Sequence, residues 1–243
     1  MHLIMPMGGA GTRFFDGGYE CPKPLLELFG KPFFYWSTQS ILKNIPVESL
    51  TFVVLREHID RFSIDTRIRE YYPQARIVVL PRVLKGAVLT CLAGIEGMQE
   101  DSEILFNDCD HGFLSSALEQ FLQCHKDADG VLLTFSSREP KFSFLAYGED
   151  GYVSRTVEKQ VISEDAICGA YYFRSVGQFR RVAESYLQNC SYKEFFLSGV
   201  YNELIAAGGK VRGLPVDFHL PFGTPEEYAE AEKEEALLRR LLP

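Results

Sequence analysis

The order of its segments makes this chain an α/β protein with a largely parallel sheet, whose ligands would gather at the carboxyl ends of the strands. Three observations carry that expectation. Leu50 to Leu55 and Ala75 to Leu80 are continuous apolar and β-branched runs, the pattern of strands covered on both faces, and a polar helical segment separates them. The first apolar run, His2 to Met7, feeds straight into Gly8, Gly9 and Gly11. No Ser/Gly/Pro-rich spacer, repeat or low-complexity stretch divides the 243 residues, so one domain over 1–243 is expected, with 46% apolar residues to fill its core.

The glycine stretch reads as a phosphate-handling loop. Glycines reach unusual backbone angles and bring bare N–H groups close to an anion. Arg13 follows with a planar fork suited to phosphate oxygens, and Lys23 adds a compact point charge. Pro22 and Pro24 restrict the backbone on both sides of that lysine. A P-loop would need Gly-Lys-Ser/Thr where Arg13 and Phe14 stand, and a dinucleotide fingerprint starting at Gly9 would need a glycine in place of Phe14.

Further along, Pro32 opens a helix to about Lys43, with Phe33, Trp36 and Ile41 on its apolar face. Lys85 to Gly97 begins with Gly86 and becomes a helix of small residues; Gly86 suits either a flat base against the backbone or close helix packing. Glu103 to Phe106 forms a short strand that delivers Asn107, Asp108, Cys109, Asp110 and His111 at its end, before a helix starting near Phe113. Residues two apart in an extended strand share a side, so Asp108 and Asp110 point into one cleft, where their hard oxygens suit Mg²⁺ or Mn²⁺. His111 is read as a partner of a neighbouring carboxylate, outside the metal set.

Val131 to Phe135 is a central strand, and Phe142 to Tyr147 with Tyr152 to Val157 form a hairpin turning at Glu149 to Gly151. Glu158 and Lys159 end that hairpin, and Cys168 to Phe173 is a strand with Gly169 near its start. The spacing from Glu158 to Gly169 would let one carboxylate and one ammonium address a polar, phosphorylated second substrate. Helices follow over Val176 to Leu187 and Lys193 to Ala207. A last helix starts at the capping box of Thr224, with acids in its first turn and Arg239 and Arg240 in its last. Its leucines would dock on the domain or on a second copy of the chain.

Composition narrows the function. A formal charge of −8 disfavours a nucleic-acid surface, although an acidic protein still binds a nucleotide where its cations share one cleft. Six cysteines without a CxxC pair indicate neither a zinc site nor a disulfide framework. No apolar run approaches the roughly 20 residues of a membrane span, and MHLIMPM lacks the features of a signal peptide, so a cytoplasmic protein is expected.

In order, the blocks MGGAGTRF, CPKPLLELFGKP, ILFNDCDH, VEKQ, GAYYF and PFGTPEEY resemble the nucleotidyltransferases that make nucleotide sugars, the sugar-1-phosphate pyrophosphorylases, from the first strand to about Tyr228. The resemblance implies a Rossmann-like three-layer α/β/α fold of nucleotide-diphospho-sugar transferase type, with a mostly parallel sheet and a small acceptor-binding β element inserted. It implies that Met7, Gly8, Gly9, Gly11, Thr12 and Arg13 hold a nucleoside triphosphate, with Asn107 and Asp108 beside them and Gly86 against the base. Lys23 would lie between the α-phosphate and the attacking phosphate, Asp110 would bind Mg²⁺ (or Mn²⁺), and Glu158, Lys159 and Gly169 would contact a phosphorylated small-molecule acceptor.

The activity implied is Mg-dependent transfer of a nucleotidyl group to a sugar 1-phosphate or related acceptor, with Arg13, Lys23 and Asp110 as its catalytic groups. Its product would be a nucleotide sugar for surface polysaccharide. The chain departs from the family at Pro221, where a second metal-binding aspartate often stands, and Asp108 or Asp217 is left to compensate. Two other readings stay open: a glycosyltransferase using Asp108 and Asp110 as its DxD, and a non-catalytic nucleotide-sugar-binding subunit.

Overall fold

The computed structural model describes residues 1–124 and 127–242. β1 (His2–Met7) buries Leu3, Ile4 and Met5 completely and ends at the glycine loop. Gly11 caps α1 (Thr12–Asp16) with φ 65, a left-handed value that costs glycine nothing. A 3₁₀ turn at Lys23–Leu25 follows Pro22. The two-residue strands β2 (Glu27–Leu28) and β3 (Lys31–Pro32) lead into α2 (Phe33–Leu42). Next come β4 (Ser49–Leu55), α3 (Arg56–Phe62), α4 (Ile64–Tyr71), β5 (Arg76–Leu80) and α5 (Ala87–Gly94). β6 (Ile104–Asn107), β7 (His111–Leu114) and α6 (Ser116–Cys124) continue the chain. β8 (Gly130–Ser136), β9 (Ser143–Tyr147), β10 (Val153–Glu158) and β11 (Asp165–Phe173) follow. The last elements are α7 (Val176–Asn189), α8 (Leu197–Ala206), β12 (Val211–Pro215), β13 (Phe218–Pro221), α9 (Pro225–Ala231) and α10 (Glu235–Arg239).

The central sheet runs β10-β9-β11-β6-β1-β4-β5, with β8 on β11 and β12 on β8. β6, β1, β4 and β5 are mutually parallel, so the loops after them open on one edge. β11 joins antiparallel to β6 and, on its other side, to β8. Alternate residues of each strand face opposite layers. Ile4, Val53 and Phe106 pack with Val88 of α5, Phe179 of α7 and Val200 of α8. Leu3, Met5, Phe52 and Leu105 pack on the other face with Phe34 of α2, Ile68 of α4 and Leu118 of α6. This is the expected three-layer α/β/α arrangement. Each such side chain contributes about 1.5–3 kcal/mol when fully buried. A third cluster joins Phe14 of α1 to Phe33, Trp36, Phe222, Leu238 and Leu241, so the end of the chain seats the glycine-loop helix.

Some differences from the sequence expectation go beyond a few residues at an element's end. His111–Leu114 is a strand, with the helix delayed to Ser116, because it pairs antiparallel with β13 (His111 opposite Pro221) and its Phe113 N–H donates to Ser40 Oγ. α8 starts at Leu197, not Lys193, since the Phe195 backbone donates to Lys85 O and accepts from Val88 N. The terminal helix is two helices, α9 and α10. Glu226, Glu230 and Glu234 fall four residues apart, where like charges weaken a continuous helix. Leu238 and Leu241 nonetheless dock on the domain, the first of the two alternatives raised for those leucines.

Candidate active site

A cavity of about 230 Å³ opens at the carboxyl edge of β1 and β6. Arg13 lines it from the glycine-loop helix, Asp108 and Asp110 from the turn after β6, Gly169 from β11, and Glu158 from the end of β10. Asp110 on its wall is ion-paired: Lys23 Nζ donates to Asp110 Oδ2 at 2.7 Å, with each side chain about a quarter exposed. The proline-flanked lysine and the aspartates therefore converge, although 87 residues separate the pair in sequence. The glycine loop lies alongside, since a Cβ on Gly11 would stand 3.8 Å from the Lys23 backbone N.

Charge sets the state of each group. Burial alone would lower the Lys23 pKa, but Asp110, with smaller help from Cys109 and Asp108, raises it above the ordinary lysine value. Burial would raise Asp110; Lys23, through charge and hydrogen bond together, holds it below the carboxylate range instead. Asp108 has no such partner among the described residues, so burial, and then the charge of Asp110, push it up to about 7. Cys109 between them is a buried thiol pushed up to about 12, chiefly by burial, and is inert at neutral pH.

A stability prediction follows for the metal-free protein. The folded state keeps the Asp108 proton above the unfolded pKa of about 4 while the unfolded chain releases it, so this site loses stability as pH rises from about 4 to about 7. Asp108→Asn, which carries no charge, is expected to gain on the native chain by roughly 1–3 kcal/mol between pH 4 and pH 8, screening included. Urea unfolding at the two pH values measures it; an equal difference at both would mean that Asp108 ionises as an ordinary carboxylate.

The two aspartates share the cleft through a turn and not along an extended strand. β6 stops at Asn107, and His111 Nε2 closes the turn onto Asn107 Oδ1 at 3.0 Å. Asn107 Nδ2 donates to Ser37 O at 2.8 Å, and the residue is wholly buried. Asn107, expected beside the nucleotide, therefore has its amide engaged at both ends within the protein and shapes the aspartate turn. Two glycines press on the carboxylates. A Cβ on Gly169 would come within 2.8 Å of Asp108 Oδ2, and Gly169 takes φ 91; a Cβ on Gly223 would overlap Asp110 Oδ2. Gly169 was expected to touch the acceptor, and its closest side-chain neighbour is Asp108.

At the far end of the cavity, Glu158 Oε2 accepts from Ser198 Oγ at 2.8 Å and from Ser143 Oγ. Lys159 adopts φ 54, a left-handed value uncommon outside glycine, and its Nζ lies 4.6 Å from the centre of the Phe196 ring. Lys141 enters from the segment before β9 and pairs with Glu227 at 2.9 Å, while Glu227 Oε2 accepts from Gly223 N. Sequence reasoning missed Lys141, Ser143, Ser198, His219 and Gly223. Of these, Gly223 alone stood in a motif, the PFGTPEEY block.

Other expected contacts divide. Gly9 and Gly11 leave open space or only ordinary contact where a Cβ would be, and Thr12 is exposed with Arg13 at the start of α1. Gly8 is wedged against Leu80 and Thr90, and the Met7 side chain belongs to the core. Gly86, with φ 117, is covered by the Phe195 backbone, its Cβ position 2.6 Å from that carbonyl oxygen. Close packing within the chain thus accounts for Gly86. Asp217 caps α6 by accepting from Ser116 N and Oγ at 2.8 and 2.9 Å, which removes it from the choice of second carboxylate. Pro221 lines the cavity, and Asp108 remains the carboxylate beside Asp110.

The fold has close parallels. A nucleoside-diphosphate-sugar pyrophosphorylase from Vibrio cholerae RC9 superposes with a TM-score of 0.84 at 24% identity, covering 95% of this chain and 99% of that one. The inositol-1-phosphate CTP transferase from T. maritima gives 0.76 at 15% identity, covering 99% and 95%. HddC from Yersinia pseudotuberculosis gives 0.72 at 17%, covering 96% and 99%. At these identities the likeness is one of fold. No curated protein sequence matches the chain. The sequence profile of the nucleotidyl transferase family, however, matches residues 2–236, spanning the glycine loop, the aspartate turn and the capped helix at Thr224 alike. With that match laid over a cavity lined by Arg13 and by Asp110, whose carboxylate pairs with Lys23, the chain belongs to the nucleotidyl transferase family.

Proposed function

We propose that this protein transfers a nucleotidyl group from a nucleoside triphosphate to a sugar 1-phosphate or a related phosphorylated acceptor and releases pyrophosphate. The observation that carries the reading is the Lys23–Asp110 pair at 2.7 Å, with Arg13 in the same cavity as Glu158. An oxygen of the acceptor phosphate attacks the α-phosphorus, and pyrophosphate leaves in line. That oxygen is already ionised at neutral pH, so no general base is required. The chain supplies position and charge: Arg13 grips the departing phosphates, and Lys23 swings from Asp110 to the α-phosphate, where negative charge builds.

A divalent cation fits this reading. Asp108 and Asp110 offer hard carboxylate oxygens of the kind Mg²⁺ and Mn²⁺ prefer. No group of three or more His, Cys, Asp or Glu among the described residues could hold a metal ion, so phosphate oxygens and water would complete the shell. When bound, the ion would neutralise phosphate charge. Glu158 and Lys159 stand at the acceptor end.

The test is a matrix of five nucleoside triphosphates against phosphorylated sugars and alcohols, with Mg²⁺ or Mn²⁺, read by pyrophosphate release. The expected result is release that needs both substrates of at least one pair. Consumption of a ready-made nucleotide sugar without pyrophosphate would point to a glycosyltransferase instead. Calorimetric nucleotide binding with no turnover anywhere in the matrix would point to a non-catalytic subunit.

A further inference from the structure

The strand that follows the aspartate turn, β7, is met on its other edge by two serines of α2. His111 and Pro221 face each other across β7 and β13, and the ladder bond beside them runs from Phe222 N to Asp110 O at 2.9 Å. His111 therefore stands in a non-hydrogen-bonded pair, with its own N–H and C=O directed away from β13. Ser37 takes up both: its Oγ donates to His111 O at 2.7 Å and accepts from His111 N at 3.2 Å. Two residues on, the Phe113 N–H donates to Ser40 Oγ at 3.0 Å.

Ser37 differs from the other hydroxyls of its helix. Thr38 and Ser40 bond back to the carbonyls four residues earlier, Phe34 O at 2.7 Å and Trp36 O at 3.1 Å, a common arrangement for helical hydroxyls. Ser37 Oγ reaches across to the turn instead. It is wholly buried, so it cannot touch a ligand, and a hydroxyl so placed is costly unless it is bonded. The backbone carbonyl of the same residue accepts from Asn107 Nδ2 at 2.8 Å, so one residue of α2 grips both ends of the 107–111 segment. Asp108 N, donating to Gly169 O at 2.9 Å, ties the middle of that segment to β11. Asp108 and Asp110 line the cavity from this tethered turn.

We propose that Ser37 is a positioning residue for the divalent ion of the transfer reading above, on which this inference rests: its hydroxyl fixes the backbone of His111 and thereby the aim of Asp108 and Asp110. Two carboxylates in one turn repel each other before an ion arrives, so the backbone must keep their oxygens convergent. A group that orients metal ligands from behind accounts for about 10- to 100-fold in metal affinity. Ser40 supplies the control, since it bonds the same strand two residues farther along.

The experiment compares full-length Ser37→Ala and Ser40→Ala with the native chain. Mn²⁺ is titrated by electron spin resonance, alone and with each nucleoside triphosphate of the matrix, and urea unfolding records stability. Both variants should lose stability to a similar degree, and amide exchange should quicken at His111 in the first and at Phe113 in the second. Ser37→Ala should weaken Mn²⁺ binding by about 10-fold or more, while Ser40→Ala stays within about twofold of the native chain. Should alanine at position 37 prevent folding, Ser37→Cys, whose thiol is a weaker donor and acceptor, should weaken Mn²⁺ binding to a smaller extent.

Native Mn²⁺ affinity in the Ser37 variants would overturn the proposal. An equal loss in Ser40→Ala would do the same, because the serines would then be props of β7 alone. Pyrophosphate release judges the transfer reading separately: release by the native chain, with Mn²⁺ affinity unmoved by Ser37→Ala, leaves that reading standing without the proposal. A matrix without any release would sink the transfer reading, and with it the task of the ion, even where Ser37→Ala shifts Mn²⁺ affinity.

Discussion

Lys23→Met should lower turnover by about 10²- to 10³-fold, the scale for removing one preorganised electrostatic donor from a transition state. Methionine keeps the stem of the lysine and its packing between the prolines, so the change is chiefly one of charge. Two effects add. In the reaction, negative charge at the α-phosphorus loses its nearest ammonium. In the resting protein, Asp110 loses the partner at 2.7 Å that holds its pKa down, and two carboxylates in one turn then share a proton. Removing one member of a mostly buried ion pair costs stability as well, roughly 1–3 kcal/mol where a quarter of each side chain still meets water. Single-turnover pyrophosphate release, together with urea unfolding, separates the two effects. A variant with near-native release would show that Lys23 serves only to neutralise Asp110.

Asp110→Asn is expected to abolish metal-stimulated turnover, a loss of the same order or larger. The amide matches the carboxylate in shape and still accepts from Lys23, so the turn closed by Asn107 and His111 should persist. It carries no negative charge, however, and makes a poor ligand for a hard cation. The Lys23 pKa should fall at the same time, because the carboxylate opposing its burial is gone. Turnover titrated with Mg²⁺ and with Mn²⁺ measures the first effect, and manganese binding followed by spin resonance in the presence of nucleotide gives a second readout. An unchanged dependence on metal would remove Asp110 from the site.

Much of the charged lining of this cavity was legible before any fold was known, and the reason is local chemistry. A glycine cluster followed by Arg13, a lysine held between prolines, and an acidic pair ending an apolar run each stand out within a few residues, and the fold brings Arg13, Asp108 and Asp110 to one cavity with Lys23 paired to Asp110. The parallel strands were legible for the same reason, since a continuous apolar run such as Leu50 to Leu55 needs no distant partner to be recognised. Contacts closed over long separations were not. β7 is four residues long, and its partner β13 lies more than a hundred residues away, so HGFL after an acidic turn looked like the approach to a helix. Lys141, Ser143 and Ser198 reach the cavity from segments with no distinctive spacing. Gly86 was legible as a glycine required for close approach, but only the fold shows that the neighbour is Phe195. Asn107 sits one residue from a carboxylate of the cavity wall, yet its amide is turned inward to Ser37 and His111.

The cluster that joins Phe14 to Phe222, Leu238 and Leu241 has a consequence for how the protein is made. During synthesis the parallel strands can pair long before the tail leaves the ribosome, but the seat of α1 cannot form until that tail arrives. A nascent or clipped chain ending before β13 would hold every strand of its central sheet and yet leave α1, with Arg13 on it, without its seat.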